Sequence, residues 1–565
     1  MSRVSHPLER FGPATRTWFD QAFPAGPTPA QAGAWESVAG GSNTLVVAPT
    51  GSGKTLSAFL WSLDRLLTSP PPEDRSRRCR VLYVSPLKAL AADVERNLRV
   101  PLAGIAAAAG AAGRELSPVT VGVRTGDTPA DERRRLATRP PDVLITTPES
   151  LFLVLTSRAR EGLSGVETVI VDEVHALAGT KRGAHLALSL ERLEALLERP
   201  AQRIGLSATV RPPELVAGFL GGAAIVCPPD SPGLDLRVVV PVPDMEEPDA
   251  PEAAALPPGA PEETGAEPAP LPGDPDAEGL GGDAPPGRPG PLAPRPRADD
   301  AGKLPEPDPR GTGTRRGGSI WPHVERRVLD LVESHRSTIV FTNGRRTAEK
   351  LCARVNDLYA ERHGSELPPE GPAAQVMGQS GQSRGGEAVV ARAHHGSMSK
   401  AERALIEDDL KAGRLRCVVA TSSLELGVDM GAVDLVVQVA APPSVASGLQ
   451  RVGRAGHRVG ETSQGVFLPQ FRGDLLATTV VAERMRAGGI ERLEMPLNPL
   501  DVLSQHIVAM VAMDDWPVAE LAALVRRAAP FADLADSVLE SVLDMLSGRY
   551  PSDEFAELRP RVVWD

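Results

Sequence analysis

Leu45-Val46-Val47-Ala48-Pro49-Thr50-Gly51-Ser52-Gly53-Lys54-Thr55 passes from an aliphatic strand into a glycine-bracketed loop and then into a helix, the order of parts that cradles a phosphate. Glycines let backbone N–H groups turn inward on the anion, Lys54 reaches toward the β and γ phosphates, and the Thr55 hydroxyl can hold Mg²⁺. The helix aims the positive end of its dipole at the same place. Its register is legible, because Leu56, Phe59, Leu60, Leu63, Leu66 and Leu67 recur at helical spacing and predict one face packed on a sheet. Ala48 stands where the strict pattern has its first glycine. A glycine-rich turn without a ligand is the alternative, and it does not explain strand, loop, lysine and helix in this order. The stretch implies a nucleoside triphosphate site contacted by Thr50, Gly51, Ser52, Gly53, Lys54 and Thr55.

Downstream, Val169-Ile170-Val171-Asp172-Glu173-Val174-His175 is an apolar strand that delivers two carboxylates to a sheet edge. Asp172 is placed to share the Mg²⁺ shell, and Glu173 to orient and deprotonate an attacking water. Five short aliphatic runs (44–47, 81–84, 143–145, 169–171 and 204–206) alternate with helical patterns, which predicts an α/β fold with a parallel sheet and ligands at the strand C-termini. The pattern recurs over 339–341, 417–420, 435–439 and 466–468, predicting a second similar lobe, with a surface loop over 378–386 inside it. From about Leu497 the texture becomes helical near 499–513, 518–528 and 534–546, followed by an extended piece over 561–564. Three helices and an incipient strand suit a partial winged-helix module, with a plain helical bundle as the other reading. The expected domains are 1–240, a linker over 241–318, then 319–496 and 497–565.

The 565 residues have room for roughly three or four domains, and 41% of them are hydrophobic, enough to bury real cores. No apolar run approaches the roughly 20 residues of a membrane-spanning helix and the start has no signal-peptide core, so a cytosolic protein without a membrane partner is expected. Cys79, Cys227, Cys352 and Cys417 lie far apart with no paired spacing, which argues against a zinc ribbon, an iron–sulfur cluster or a disulfide framework; they read as buried thiols. The net charge of −12 resides mostly in one segment, for Asp244 to Asp300 holds 14 acidic and 3 basic residues, a local net of −11. The linker is dense in Pro, Gly and acids without periodicity and reads as disordered. The other parts of the chain are free to carry basic patches.

The ordered set of motifs resembles a superfamily 2 helicase of the DExH type. Ala48 to Thr55 resembles motif I, Ser85-Pro86-Leu87-Lys88-Ala89-Leu90 motif Ia, Thr147-Pro148-Glu149 motif Ib, Asp172-Glu173-Val174-His175 motif II and Ser207-Ala208-Thr209 motif III. Past the linker, Val340-Phe341-Thr342-Asn343 resembles motif IV, Ala420 to Asp429 motif V, and Gln450 to Arg458 motif VI. Arg124-Thr125-Gly126-Asp127-Thr128, Thr146 to Leu151, His394-His395-Gly396-Ser397 and the Arg-Ala-Gly-His form of motif VI are similar to the large helicase-related (Lhr) proteins of bacteria and archaea. The match runs from about Phe11 to the chain end apart from the linker, which is not part of the family pattern. Family members continue further, so the chain resembles a C-terminally incomplete version.

The resemblance implies two RecA-like lobes that clamp ATP and Mg²⁺ at their seam. Arg454 is the first choice for an arginine finger, an effect worth about 10³ to 10⁵ in rate in such systems. Many related helicases have a second arginine where this chain has His457, and Arg451 or Arg458 is the candidate substitute. Asp429 is expected to face the nucleotide from the second lobe, and Gln31 to read the adenine edge, since an amide both donates and accepts. Ser207, Ala208 and Thr209 are expected to couple nucleotide to strand. For the polynucleotide, Thr147, Thr421 and Ser422 offer hydroxyls and Lys88, Arg124 and Arg345 offer charge, all suited to phosphates rather than bases. Thr128 with Pro129 predicts a capped helix start near a backbone phosphate. His394 and His395 read as groove-positioning residues, with no carboxylate or cysteine at metal-ligand spacing.

The expected function is an ATP-dependent translocase and helicase. The resemblance implies 3′-to-5′ movement on single-stranded DNA and unwinding of DNA or RNA–DNA duplexes in DNA repair. The alternatives are a nucleic-acid-stimulated ATPase that remodels protein–nucleic acid complexes without separating strands, and a scaffold that has lost turnover.

Overall fold

A computed structural model describes residues 6–49, 51–228, 233–248, 319–364, 389–425, 430–431, 433–456, 461–549 and 559–564. Most of the linker and the loop expected over 378–386 lie outside the described residues. Met1–Pro241 and Ile320–Asp565 form one compact unit and Val242–Ser319 a second.

The first sheet has seven parallel strands: β1 (Thr44–Val47), β2 (Val81–Val84), β3 (Val121–Arg124), β4 (Val143–Thr146), β5 (Thr168–Val171), β6 (Gln202–Ser207) and β7 (Ala224–Val226), in the order β3-β4-β2-β5-β6-β1-β7. The second has six: β8 (Leu234–Val238), β9 (Thr338–Phe341), β10 (Ala391–His394), β11 (Cys417–Ala420), β12 (Leu435–Val439) and β13 (Ser463–Leu468), in the order β10-β11-β9-β12-β13-β8. Central strands of both sheets are buried end to end, as their unbroken aliphatic runs require when helices cover both faces.

The expected boundary at residue 240 is corrected by β8. This strand lies before that boundary, yet it pairs with β13 in the second sheet, from Leu234 beside Ser463 to Val238 beside Phe467. Leu236 explains the placement, since it is buried in the second lobe's core with Ile339, Val436 and Phe467. The first sheet ends instead at β7 on β1. A second correction concerns the cysteines: Cys79, Cys352 and Cys417 are buried, but Cys227 is exposed just after β7.

Helices Leu500–Val511, Val518–Arg527 and Asp536–Ser547 follow the second lobe in sequence but pack on the first. Leu503, Ile507, Leu521 and Leu524 share one core with Leu186, Leu190 and Leu193 of the helix Lys181–Glu194. Ion pairs rim this contact, Lys181 with Asp501 at 2.7 Å and Arg527 with Glu191 at 2.9 Å, and Arg160 with Asp514. The piece over 561–564 is extended but is not a sheet strand; the N–H groups of Arg561 and Val562 both donate to Leu546 O.

Inside the same contact lies a polar pocket of rings. His506 is fully buried, its ring 4.4 Å from that of His185 and 5.0 Å from that of Phe152, with Arg192 Nη1 3.5 Å from His506 Nδ1. Burial, then the neighbouring His185 and Arg192, push the His506 pKa down to about 2. The folded pKa is below the unfolded one, so the stabilisation is fully present above the unfolded value and is lost as pH falls. His506 is therefore expected to make unfolding free energy fall by about 1.4 kcal/mol per pH unit below roughly pH 6. Denaturant titrations of His506→Phe, which keeps the ring, should show a slope shallower by that amount; equal slopes would refute the assignment.

Candidate nucleotide cleft and strand groove

β1 ends at Val47, and Ala48 N still donates to Ser207 O at 3.1 Å before the chain turns. Gly51 and Gly53 take φ of 83° and 79°, the left-handed region that glycine enters without steric cost. A Cβ on Gly53 would also stand 2.4 Å from Gln31 Nε2, so the loop and this amide are packed against each other. Gln31 Nε2 donates to Gly53 O at 3.4 Å, Gln31 Oε1 accepts from Thr28 N at 3.0 Å, and Thr28 Oγ1 donates to Ser52 O at 2.9 Å. Gln31 thus braces the phosphate loop rather than presenting a free amide edge. Lys54 opens the helix Lys54–Thr68 and folds its ammonium back to donate to Ala48 O at 2.7 Å. Thr55 follows, half-buried in the first turn. Thr50 and Asp429 lie outside the described residues.

β5 delivers Asp172 and Glu173, both buried. Asp172 Oδ1 accepts from Glu173 N at 2.9 Å, and Asp172 Oδ2 accepts from the hydroxyl of Tyr83. Tyr83, in the middle of β2, is fully buried and stacks on Phe59 of the phosphate-loop helix with ring centres 5.0 Å apart. Sequence reasoning missed this tyrosine, which ties acid strand, neighbouring strand and helix together. Glu173 takes a left-handed φ of 43°, an uncommon conformation for a side-chain-bearing residue. Burial, then the charge of Glu173, raises the Asp172 pKa to about 7, against the opposing pull of Tyr83 and Lys54. A buried acid pair of this kind fits a divalent cation. Among the described residues no group of three or more His, Cys, Asp or Glu could hold a metal alone, so phosphate oxygens would complete a shell begun by Thr55 and Asp172.

His175 links this apparatus to the second lobe. Its Nδ1 accepts from Ala208 N at 3.3 Å, lies 3.2 Å from Ser207 Oγ and 3.6 Å from Glu173 Oε2. Nε2 then carries the ring proton and, 2.6 Å from the amide end of Gln450, donates to that side chain when its oxygen faces the ring. Burial lowers the His175 pKa, which favours this neutral form. Gln450 sits on the helix Val445–Val452, just ahead of Arg454. Arg454 is buried and donates from Nη2 to Glu425 O at 2.9 Å. Desolvation is the largest influence lowering the Lys54 pKa, and the charge of Arg454 adds to it. The histidine of motif II was in plain view in the sequence, but its partners lie in two distant segments.

Arg451 does not join that cleft in the manner expected. Its Nε and Nη2 donate to Glu425 Oε2, and its Nη1 donates to Asn343 Oδ1 and Gln438 Oε1, all at 3.0 Å. It also lies over the Phe341 ring, a set of contacts wholly within the second lobe. His457 and Arg458 lie outside the described residues. Of the motif III residues, Ser207 is buried against His175, Ala208 donates to it, and Thr209 is exposed beyond the strand.

The strand candidates fall on the other half of each sheet. Lys88 follows β2, Arg124 ends β3 and Thr147 follows β4, while Arg345 follows β9, His395 follows β10, and Thr421 and Ser422 follow β11. Among the nucleotide candidates, Lys54 and Thr55 follow β1, Asp172 and Glu173 follow β5, and Arg451 and Arg454 follow β12, whereas Gln31 precedes β1 and Asp429 comes after β11. Lys88 pairs with Asp127 at 2.6 Å, both half-exposed. Burial and the nearby Arg133 lower the Arg124 pKa. Thr147 is buried and caps the helix Pro148–Leu155, accepting from Ser150 N at 3.4 Å. Arg345 donates to Ser397, His395 pairs with Glu349 at 2.9 Å, and Ser422 is exposed. Thr421 N donates to His394 O, and His394 in turn holds Ser423 at 2.9 Å and Glu407 at 3.2 Å. Thr128 does not cap the helix Ala130–Thr138. Pro129 is the cap residue, and the Thr128 hydroxyl instead closes the preceding turn by accepting from Thr125 N.

Sequence models of three families match the chain: DEAD/DEAH box helicase over residues 28–216, helicase conserved C-terminal domain over 324–459, and the winged helix domain of large helicase-related proteins over 483–565. The chain is 56% identical to an "Lhr helicase/ probable uracil glycosylase" of Mycolicibacterium smegmatis over 99% of its own length and 33% of that protein's. It is 37% identical to "ATP-dependent helicase Lhr-Core protein 2" of Thermococcus barophilus, over 97% of the chain and 54% of the relative. It thus spans about a third of the bacterial relative and about half of the archaeal one. The solved structure of Mycobacterium smegmatis helicase Lhr bound to ssDNA and AMP-PNP superposes with a TM-score of 0.78 at 53% identity, covering 99% of this chain and 60% of that one.

Tyr83→Phe keeps the stack on Phe59 and removes one donor to Asp172. A hydrogen bond to a charged group contributes about 1.5–3 kcal/mol. The variant is expected to need about tenfold more Mg²⁺ for half-maximal ATPase, and its thermal midpoint in the absence of nucleotide should fall by a few degrees. An unchanged Mg²⁺ requirement would show the hydroxyl to be packing only.

Proposed function

The chain belongs to the large helicase-related (Lhr) family of superfamily 2 DExH helicases, and from that footing we propose that it is an ATP-dependent translocase and helicase. It moves 3′ to 5′ on single-stranded DNA and unwinds DNA or RNA–DNA duplexes, with DNA repair as its setting. The observation that carries this reading is His175, 3.6 Å from Glu173 Oε2 in one lobe and 2.6 Å from Gln450 of the other, on the helix just ahead of Arg454. The M. smegmatis relative solved with ssDNA and AMP-PNP supports the choice of ligands.

In this mechanism Lys54 exchanges its bond to Ala48 O for the β and γ phosphates of ATP, and Gly51 to Gly53 present backbone N–H groups to them. Thr55 and Asp172 would hold Mg²⁺, which when bound would supply positive charge against the triphosphate. Glu173 orients the attacking water and takes its proton, and Arg454 stabilises charge developing on the γ phosphate. His175 registers the state of Glu173 and passes it to Ser207 and Ala208 on one side and Gln450 on the other, so lobe closure follows nucleotide state. Lys88, Arg124, Thr147, Arg345, His395, Thr421 and Ser422 grip phosphates along the other half of both sheets, which makes affinity salt-dependent and nearly independent of base sequence.

Glu173→Gln is expected to lose at least about a hundredfold in DNA-stimulated ATPase while still binding ATP and single strands. Strand displacement on duplexes with a 3′ tail, and none with a 5′ tail, is the outcome expected of the parent chain. Robust ATPase without displacement on either tail would favour the remodelling ATPase, and normal turnover by Glu173→Gln would remove the catalytic assignment.

A further inference from the structure

A cavity of about 690 Å³ opens away from the acids of the cleft, at the junction of three segments. Arg211 and Pro212, just past Ser207-Ala208-Thr209, form one wall. Val445, at the start of the helix that carries Gln450, and Val480, Val481 and Arg484 of the helix Arg472–Arg486 form the second. Gly489 to Arg492, on the way to the C-terminal helices, form the third.

The lining is an apolar floor with a cationic rim. Arg211, Arg484 and Arg492 are exposed on it. The one acid, Glu491, is already engaged, since its two carboxylate oxygens accept from Val445 N at 2.6 Å and Ala446 N at 3.2 Å. Among the described residues neither Arg211 nor Arg492 has an ion-pair partner. The floor continues outward along one face of the helix Arg472–Arg486, where Val480 is 44% and Leu476 69% exposed, to Phe471 at 59%. Residues 476, 480 and 484 are spaced four apart, so two aliphatic side chains lead in line to an arginine.

We infer that this cavity and stripe dock an acidic, apolar-anchored segment of a partner protein. The charge is complementary, with carboxylates meeting three arginines while aliphatic or aromatic anchors fill the floor. Apart from Phe471 at its far end the stripe is aliphatic and offers little to stack bases on, which favours a peptide over a nucleic acid strand. The walls belong to both lobes, so the occupant bridges the same gap that nucleotide closes. Peptide and nucleotide affinities are therefore coupled, each changing the other by the same factor.

The test uses the whole chain and a fluorescent peptide carrying a run of aspartates beside a Leu-Leu-Phe block, followed by anisotropy. Binding is expected to weaken about tenfold in Arg484→Glu, Arg492→Glu and Val480→Asp, all exposed positions, and to shift when AMP-PNP is added. The same peptide with asparagines for aspartates, or without the apolar block, is expected to bind at least about tenfold more weakly. Absence of saturable binding, or equal affinity in the three variants, would overturn the inference. So would displacement of the peptide by single-stranded DNA together with loss of DNA affinity in the same variants, which would assign the cavity to the strand.

Discussion

Two cations from different lobes, Lys54 and Arg454, feel each other's charge, and the groups around them have to accommodate that repulsion. Like charges repel, so their convergence is tolerable only beside the buried carboxylates of Asp172 and Glu173 and, in use, beside a polyanion. The fold provides the geometry. β5, β6 and β1 are neighbours, so their C-terminal ends bring the acids, Ser207 and the phosphate loop to one edge, and the helix after β12 brings the second lobe's contribution to meet them. Tyr83 and Gln31 then fix what the cleft uses, one holding an acid and the other bracing the loop.

The buried strands were legible because their chemistry is local. The runs at 44–47, 81–84, 417–420 and 435–439 coincide with β1, β2, β11 and β12 to the residue, as continuous burial on both faces demands aliphatic side chains throughout. β3 and β10, half-exposed at the sheet edges, and the short, exposed β7 carry no such run and were not foreseen. β8 was likewise not foreseen, and its residues fell on the near side of the expected boundary at 240 because its partner β13 is more than two hundred residues away. The site divides in the same way. Motif residues with fixed spacing could be read directly, whereas the His175 bridge and the Tyr83 support depend on partners that only the fold brings near. Arg451 is a further case, since a motif arginine gives no sign that Glu425, Asn343 and Gln438 will be its neighbours.

The two halves of each sheet divide the labour. The proposed strand contacts leave from β2, β3 and β4 and from β9, β10 and β11, while the phosphate loop, the acid pair and Arg454 come after β1, β5 and β12, and His175 contacts Ser207 and Ala208 after β6. The helix Val445–Val452 carries Gln450, which contacts His175, and Val445 of that same helix lines the cavity beside Arg211. Sites for nucleotide, polynucleotide and the inferred acidic peptide thus share a few moving parts.

The C-terminal helices share a hydrophobic core with the first lobe, not with the second lobe that precedes them. In chain order the second lobe is therefore an insertion within another folding unit. During synthesis, the apolar face of the helix Lys181–Glu194 waits for roughly 300 further residues to leave the ribosome before Leu503 and Ile507 can cover it. The second lobe, whose long-range pairings close within itself apart from β8, completes first. Until those residues emerge, nascent chains carry an uncovered leucine-rich surface on the first lobe, of the kind that invites aggregation or shielding.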